Sequence, residues 1–285
     1  MKTILVTGAN GQLGNELKYL KNSFTDFKFI FTDKQALDIT NNEAILSFFK
    51  INEIDFCINT AAYTAVDNAE DDQENAMLLN ATAVKYLAEV CKEFNAKLIH
   101  VSTDFVFDGK GNIPLKEENK PNPLSVYGAT KLKGEEFALE KDALVIRTSW
   151  LYSTFGNNFV KTMLRLGTER DELNIIADQF GTPTYARDLA KAILDIISNN
   201  KVENIKGLYH FSNKGEASWF DFTKEIFSIS NINCKANPIP TTEYPTPAER
   251  PKYSVMDKSK IVDDFGVVLK DWKVSLKECI EKLNI

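Results

Sequence analysis

Residues 3–14 read TILVTGANGQLG, a β-branched apolar run that ends directly on Gly8, Gly11 and Gly14. A strand feeding a glycine-rich turn and then a helix is the local design of a dinucleotide-binding unit. Gly8 permits the sharp turn, Gly11 removes a side chain where a pyrophosphate must approach, and Gly14 lets the new helix settle close to the sheet. The helix N-terminus then presents unpaired N–H groups and the positive end of its dipole to the phosphates. Glycine-rich turns occur wherever a strand meets a helix, so it is the position directly after a strand that carries the reading.

Outward from this junction the chain alternates. Strands are predicted near 2–7, 27–32, 54–59, 97–102, 143–148, 172–176 and 207–212, and helical patterns are clearest at 74–94, 125–140, 156–167, 185–198 and 218–229. Such alternation predicts an α/β fold with a doubly wound parallel sheet, a Rossmann fold. Residues 1–150 are assigned to the dinucleotide-binding domain and residues 151–285 mostly to a smaller, largely C-terminal substrate-binding lobe. That lobe is discontinuous, because the helix near 185–198 and the strand near 207–212 return to the first domain. Between Pro238 and Pro251 five prolines punctuate the chain, which predicts an ordered loop or a lid there and not regular structure.

Composition narrows the function. The chain has 285 residues, 44% hydrophobic and 26% charged, enough for one large core and an appended lobe. No run of 18 apolar residues occurs and the chain begins with a strand, so neither a membrane span nor a signal peptide is expected. Cys57, Cys91, Cys234 and Cys279 are scattered without a C-x-x-C pair, which points to reduced thiols in a cytoplasmic protein and away from structural zinc. A formal charge of −6 leaves no footprint for nucleic acid, so anionic ligands must be drawn by local groups.

Three segments carry candidate chemistry. In SVYGATKLKGEE, Tyr127 and Lys131 stand four apart at the start of a predicted helix and so share one face. An ammonium beside a phenol favours the phenolate and is expected to bring the tyrosine's proton transfer toward neutral pH. The strand KLIHVST delivers Ser102, Thr103 and Asp104 to the carboxyl edge of the sheet, where ligands bind in such folds. Thr103 is placed beside Tyr127, Ser102 is read as structural, and Asp104 as a turn cap. Asp33 ends the strand FKFIFTD nineteen residues after Gly14, where a carboxylate accepts hydrogen bonds from the adenosine ribose and repels a 2′-phosphate; Lys34 beside it offsets part of that repulsion. His100 and His210 lie within strands and have no ligand spacing, so both are read as structural.

The glycine spacing G-x-x-G-x-x-G with Tyr127 and Lys131 resembles the short-chain dehydrogenase/reductase superfamily. Within it, NTAAYTAVDNAE, VSTDFVFDG, PLSVYGATKLKGE, RTSWLYS, DQFGTPTYARDLA and ERPKYSVMD resemble the dTDP-4-dehydrorhamnose reductases. That resemblance implies NADPH- or NADH-dependent reduction of the C4 ketone of dTDP-4-dehydro-L-rhamnose, with Thr103, Tyr127 and Lys131 catalytic. It implies cofactor contacts from Gly8, Asn10, Gly11, Gln12, Leu13 and Gly14, from Asp33, Asp38 and Ile39, from Ala61, Ala62 and Tyr63, and from Tyr127 and Lys131. Substrate contacts are implied at Val66, Thr103, Asp104, Trp150 and Arg250.

The residues themselves fit. Small side chains after a strand end, as at Ala61 and Ala62, admit close approach of a ligand or of a helix. Arg250 in the proline-rich segment is a planar fork suited to a diphosphate, with Lys252 next in line. Nucleotide-sugar dehydratases of the superfamily carry an acidic residue where Phe105 stands, and phenylalanine supplies neither acid nor base. A sister reductase of dTDP-4-keto-6-deoxysugars, or a non-catalytic subunit resembling the β subunit of methionine adenosyltransferase, are the alternatives. Some family members form magnesium-bridged dimers through acidic side chains. Glu16 and Asp188 are the candidates here, each equally a solvated carboxylate at a helix start. The metal and the choice of monomer or homodimer therefore stay open.

Overall fold

The computed structural model describes residues 1–283. Its centre is a sheet of six strands: β1 (Lys2–Thr7), β2 (Phe27–Phe31), β3 (Phe56–Asn59), β4 (Lys97–Thr103), β5 (Leu144–Thr148) and β6 (Gly207–His210). All pair in parallel, in the spatial order β6-β5-β4-β3-β1-β2. The order reverses between β1 and β3, and at that reversal the carboxyl ends of the strands open a crevice.

Both faces of the sheet are covered, which is why β1, β3 and β5 read as apolar runs without a polar alternation. Ile4 and Val6 point to one layer, with Leu17 of α1 (Gln12–Leu20) and Ile193 of a long helix, Ala186–Asn199. Leu5 points to the other, with Ile45 of α2 (Asn42–Ile51), Leu87 of α3 (Ala83–Glu93) and Ala138 of α4 (Val126–Leu139). The helix Ala186–Asn199 and strand β6 pack into the central core.

The junction opening the chain is close-packed. Gly8 has φ +65°, and a Cβ there would lie 2.5 Å from the Ala61 nitrogen. At Gly14 a Cβ would come within 2.6 Å of the Ala9 Cα, so α1 sits against the turn as expected.

The helix predicted over 74–94 is interrupted. Gln73–Met77 is α-helical, Leu78–Thr82 widens to a π turn, and α3 follows. The cause is Asn80, whose side chain turns inward. Its Oδ1 accepts from the Tyr63 N–H at 2.8 Å and its Nδ2 donates to the Tyr63 carbonyl at 3.1 Å and to Thr130 Oγ1 at 3.2 Å. The π turn thereby couples the segment after β3 to α4.

Much of the remaining chain forms a second core. Helices Phe159–Glu169, Trp219–Ile229 and Trp272–Lys282 enclose a separate core of Tyr152, Phe222, Trp272 and Leu276. Contrary to expectation, the proline-rich segment begins as a strand. Lys235–Ile239 pairs in parallel with Glu172–Ile176 and includes Pro238. The pair has only two strands, and Lys235 N–H points inward to the Asp171 carbonyl. By alternation the Pro238 nitrogen faces away from the partner, so no ladder bond is lost.

Under α4 lies a buried ion pair. Glu135 and Arg147 are each 1% exposed, and the guanidinium meets the carboxylate through Nε at 2.9 Å and Nη2 at 2.6 Å. Ser102 Oγ donates to Glu135 Oε1, and the guanidinium lies 4.9 Å from the centre of the Phe107 ring. Removing one charge strands the other without water. Glu135→Gln is expected to lower stability by about 3–5 kcal/mol, measured by urea unfolding. A loss within the scatter of surface substitutions would show that the pair does not hold α4.

Candidate active site

A cleft of about 1080 Å³ runs along the carboxyl edge of the sheet. Gly8, Asn10, Gly11, Gln12 and Leu13 line one end, with Asp33, Asp38 and Ile39 beside them. Ala61, Ala62, Tyr63 and Val66 form the middle wall, and Thr103, Asp104, Tyr127, Lys131 and Trp150 close the far end. Gly14 lies behind the turn and lines nothing, consistent with a packing role.

The glycine end fits a dinucleotide. α1 starts at Gly11, which supplies no side-chain cap, so the first N–H groups of the helix are left for a ligand. Asp33 is held for polar contact: Asn10 Nδ2 donates to its Oδ2 at 2.9 Å, and the N–H groups of Gln35 and Ala36 donate to its Oδ1. The hydrogen bond from Ala36, with those from Asn10 and Gln35, keeps its carboxyl below the usual range. Asp38 is held low by the Thr40 hydroxyl and N–H.

α4 positions the other end. Ser125 caps it by accepting from the Gly128 N–H, and the Val126 N–H donates to Glu70 Oε1 at 2.9 Å. Tyr127 and Lys131 then project from one face into the cleft. Phe105 meets the Tyr127 ring edge-on, centroids 5.4 Å apart. Lys131 is 2% exposed; its Nζ donates to the Val101 carbonyl at 2.7 Å and lies 3.4 Å from His100 Nε2. Burial pushes its pKa down to about 8 against the pull of Glu135.

Tyr127 departs from expectation. Burial pushes its phenol up to about 12, with Asp104 adding to the rise and the Thr103 hydroxyl opposing it. Desolvation of the phenolate is the largest cause, and Lys131 is not among the groups that set the shift. Tyr127 is thus a proton carrier at rest.

Thr103 ends β4 buried, its hydroxyl 3.2 Å from Asp104 Oδ1 and accepting from the Phe105 N–H at 3.2 Å. It is therefore Thr103, and not Asp104, that caps the turn Asp104–Val106. Asp104 Oδ2 is buried without a hydrogen-bond partner among the described residues, and burial pushes its carboxyl up to about 6. Thr148 Oγ1, at the end of β5, is also buried, unpartnered and on the cleft wall. Sequence gave no signal for Thr148, since a threonine ending a buried strand is ordinary.

Trp150 has φ +47° and stacks on Trp219 with ring centroids 3.5 Å apart. It borders the cleft and the lobe core at once. Trp219 was not legible as its partner, because 69 residues separate them.

Arg250 and Lys252 do not line the cleft. The Arg250 guanidinium is paired at both nitrogens with Asp67, at 2.8 and 2.6 Å, and also donates to the Ala248 carbonyl. This clasp ties the 245–251 loop to the segment that carries Val66. Glu16 and Asp188 are not solvated carboxylates. Glu16 is fully buried, paired with Arg187 at 2.7 Å and accepting from Ser153. Asp188 Oδ2 accepts from Ser275 and Asn213, and its Oδ1 lies 3.2 Å from Lys270. Both are tied into internal polar contacts, and no group of three or more His, Cys, Asp or Glu side chains suited to a metal occurs among the described residues.

The whole chain is similar to proteins of one family. The family described as RmlD substrate binding domain matches residues 1–285. A dTDP-4-dehydrorhamnose reductase of Aggregatibacter actinomycetemcomitans is 41% identical over 97% of this chain and 98% of its own length. The crystal structure of a dTDP-4-dehydrorhamnose reductase from Clostridium acetobutylicum superposes with a TM-score of 0.94 at 44% identity, covering 99% of this chain and 100% of that one. A Bacillus anthracis dTDP-4-dehydrorhamnose reductase in complex with NADP gives a TM-score of 0.94 at 38% identity, with coverage of 99% and 100%.

Asp33 yields a prediction. A carboxylate fixed at the cleft end beside Asn10 opposes a 2′-phosphate, so Asp33→Ala should shift relative affinity toward NADPH over NADH by about tenfold, the worth of roughly one pKa unit of relieved repulsion. Fluorescence titration with both cofactors measures it. An unchanged ratio would mean that Asp33 does not face the ribose.

Proposed function

The chain belongs to the RmlD substrate binding domain family, and from that membership we infer the roles of the residues around its cleft. The protein is an NAD(P)H-dependent reductase that converts the C4 ketone of dTDP-4-dehydro-β-L-rhamnose to the alcohol of dTDP-β-L-rhamnose. The observation that carries the residue assignment is convergence: Thr103, Tyr127 and Lys131 meet at one end of a cleft whose other end is an uncapped helix N-terminus.

When bound, a nicotinamide cofactor would supply the hydride for the ketone carbon. The chain's own residues handle everything else. The N–H groups at the start of α1 hold the diphosphate, and Asp33 orients the adenosine ribose. As negative charge develops on the ketone oxygen, Tyr127 gives it a proton. A phenol kept protonated by burial is in the required state at neutral pH. Thr103 donates a hydrogen bond to the same oxygen and fixes its position. Lys131, anchored by the Val101 carbonyl, holds the nicotinamide ribose and offsets the phenolate left after transfer.

The sugar rests against Trp150, with Val66 and the unpartnered Asp104 Oδ2 on either side. Phe105 packs on Tyr127 at the place where a dehydratase needs a carboxyl group, which favours net reduction. Arg250, outside the cleft lining and paired with Asp67 next to Val66 in the chain, takes the substrate diphosphate by exchanging Asp67 for it. Four buried free thiols suit a reducing compartment, and we place the reaction in the cytoplasm. No helix among the described residues is long and apolar enough to cross a membrane.

Turnover with a panel of dTDP-4-keto-6-deoxysugars, followed by nicotinamide absorbance and product stereochemistry, tests the assignment. Cofactor binding without oxidation would support a regulatory subunit instead. Tyr127→Phe should retain cofactor affinity and lose about 10²- to 10⁴-fold in kcat; near-normal turnover would remove Tyr127 from the reaction. Arg250→Ala should raise KM for the nucleotide sugar far more than it lowers kcat, because diphosphate contacts are equal in ground and transition states. An unchanged KM would show that the diphosphate is held elsewhere.

A further inference from the structure

Lys131 lies against a histidine whose proton position is dictated by the fold. The chain of contacts starts at the neighbouring strand, β3. The Ala61 N–H can only donate, and at 3.2 Å it identifies the Asn59 side-chain oxygen as its acceptor. Thr7 Oγ1 donates to the same oxygen at 2.7 Å. Asn59 Nδ2 must therefore face His100 Nδ1, 3.1 Å away, as a donor. A hydrogen on Nδ1 would set donor against donor, so that nitrogen carries a lone pair. His100 is completely buried, and desolvation together with Lys131 holds it well below its usual titration range. The imidazole is neutral, and its one proton sits on Nε2.

Nε2 is 3.4 Å from Lys131 Nζ. Toward an ammonium, that contact opposes two N–H groups. Toward the free amine it is a hydrogen bond, from Nε2–H to the Nζ lone pair. The Val101 carbonyl already anchors the lysine at 2.7 Å, so anchoring does not require the imidazole.

We propose that His100 is a positioning residue in proton delivery: as a fixed Nε2–H donor it stabilises the neutral amine of Lys131, so that Lys131 returns a proton to Tyr127 after each reduction. The inference rests on the reductase assignment above. In the step, an Nζ–H bond of Lys131 breaks and an O–H bond forms at the Tyr127 oxygen, directly or through a bridging hydroxyl. Phenolate and ammonium charges cancel, and the amine left behind takes the hydrogen bond from His100. A solvent proton later restores the ammonium.

The titratable groups around Lys131 are few. Tyr127 and Glu135 share its helix, His100 faces it from β4, and Arg147 on β5 occupies the Glu135 carboxylate at both oxygens. The β3 and β1 side chains behind His100, Asn59 and Thr7, carry no charge. Burial lowers the lysine and Glu135 raises it, leaving a pKa of about 8 that suits a donor near neutral pH. Ammonium predominates below that value, so activity that depends on the Lys131 proton falls as pH rises through it.

The chain has two histidines, so ¹⁵N NMR of histidine-labelled wild type shows two imidazoles, assigned with one His210 variant. The expected state of His100 is the Nε2–H tautomer, unchanged across the accessible pH range; an Nδ1–H tautomer or an imidazolium would overturn the proposal. The alkaline limb of the pH profile of kcat/KM supplies the second arm. His100→Leu removes the donor and should move that limb upward by about one pH unit. In His100→Gln, Asn59 orients the amide so that its NH₂ again faces Lys131, and the limb should return to the wild-type position. A limb that stays in place in an active Leu variant would sink the proposal. Should the wild type show no turnover, the reductase assignment fails instead, and the Lys131 Nζ titration by ¹⁵N NMR in wild type and His100→Leu still decides the role of His100. Equal lysine pKa values in the two would reject it.

Discussion

The active-site helix is held by one buried contact, the bidentate pairing of Arg147 with Glu135. Arg147 comes from β5, Glu135 from α4, and Ser102 on β4 adds a third tie. Because the pair is excluded from water, neither partner tolerates displacement without exposing an uncompensated charge. One helical turn before Glu135 stands Lys131, and one turn before that Tyr127, so the same pair fixes both. Asn80 on the π turn clamps the helix from the other side through Thr130. The catalytic face is thus set by polar groups that have no other choice of partner.

Burial decides the chemistry of the groups that this scaffold presents. It raises the Tyr127 phenol to about 12, raises the Asp104 carboxyl to about 6 and lowers the Lys131 ammonium to about 8. Each shift favours the neutral form. At neutral pH Tyr127 is therefore a protonated acid, while Asp104 and Lys131, each within about one pH unit of titrating, still carry charge. Donors oriented in advance are worth most under those conditions, since no water has to be reorganised when the charge appears.

The lobe is fastened to this edge at two points of different character. Trp150 leaves β5 in a left-handed conformation and stacks on Trp219, an apolar joint that also forms cleft wall. Arg250 and Asp67 make a polar clasp across the rim, part-exposed and hence weaker. The stacked pair packs on the lobe core, whereas the clasp stays part-exposed.

The sequence by itself determined the strand-turn-helix junction at Gly8 to Gly14, the parallel α/β alternation, and the pairing of Tyr127 with Lys131 on one helix face. These rest on local rules, namely steric freedom at glycine, side-chain periodicity and capping, which act within a few residues. It also put Thr103 at a strand end. Only the tertiary structure decided what distance in sequence conceals: that Trp219 lies on Trp150, that Glu16 and Asp188 are spent on internal networks, and that Pro238 fits an edge strand. The ionisation of Tyr127 belongs in the same class. Spacing alone sets the lysine and the phenol on one helix face, but the desolvation that raises the phenol comes from what the fold packs around it. The tautomer of His100 likewise follows from Asn59 on the neighbouring strand, because hydrogen-bond direction passes from Ala61 and Thr7 through Asn59 to His100 only once β1, β3 and β4 lie side by side.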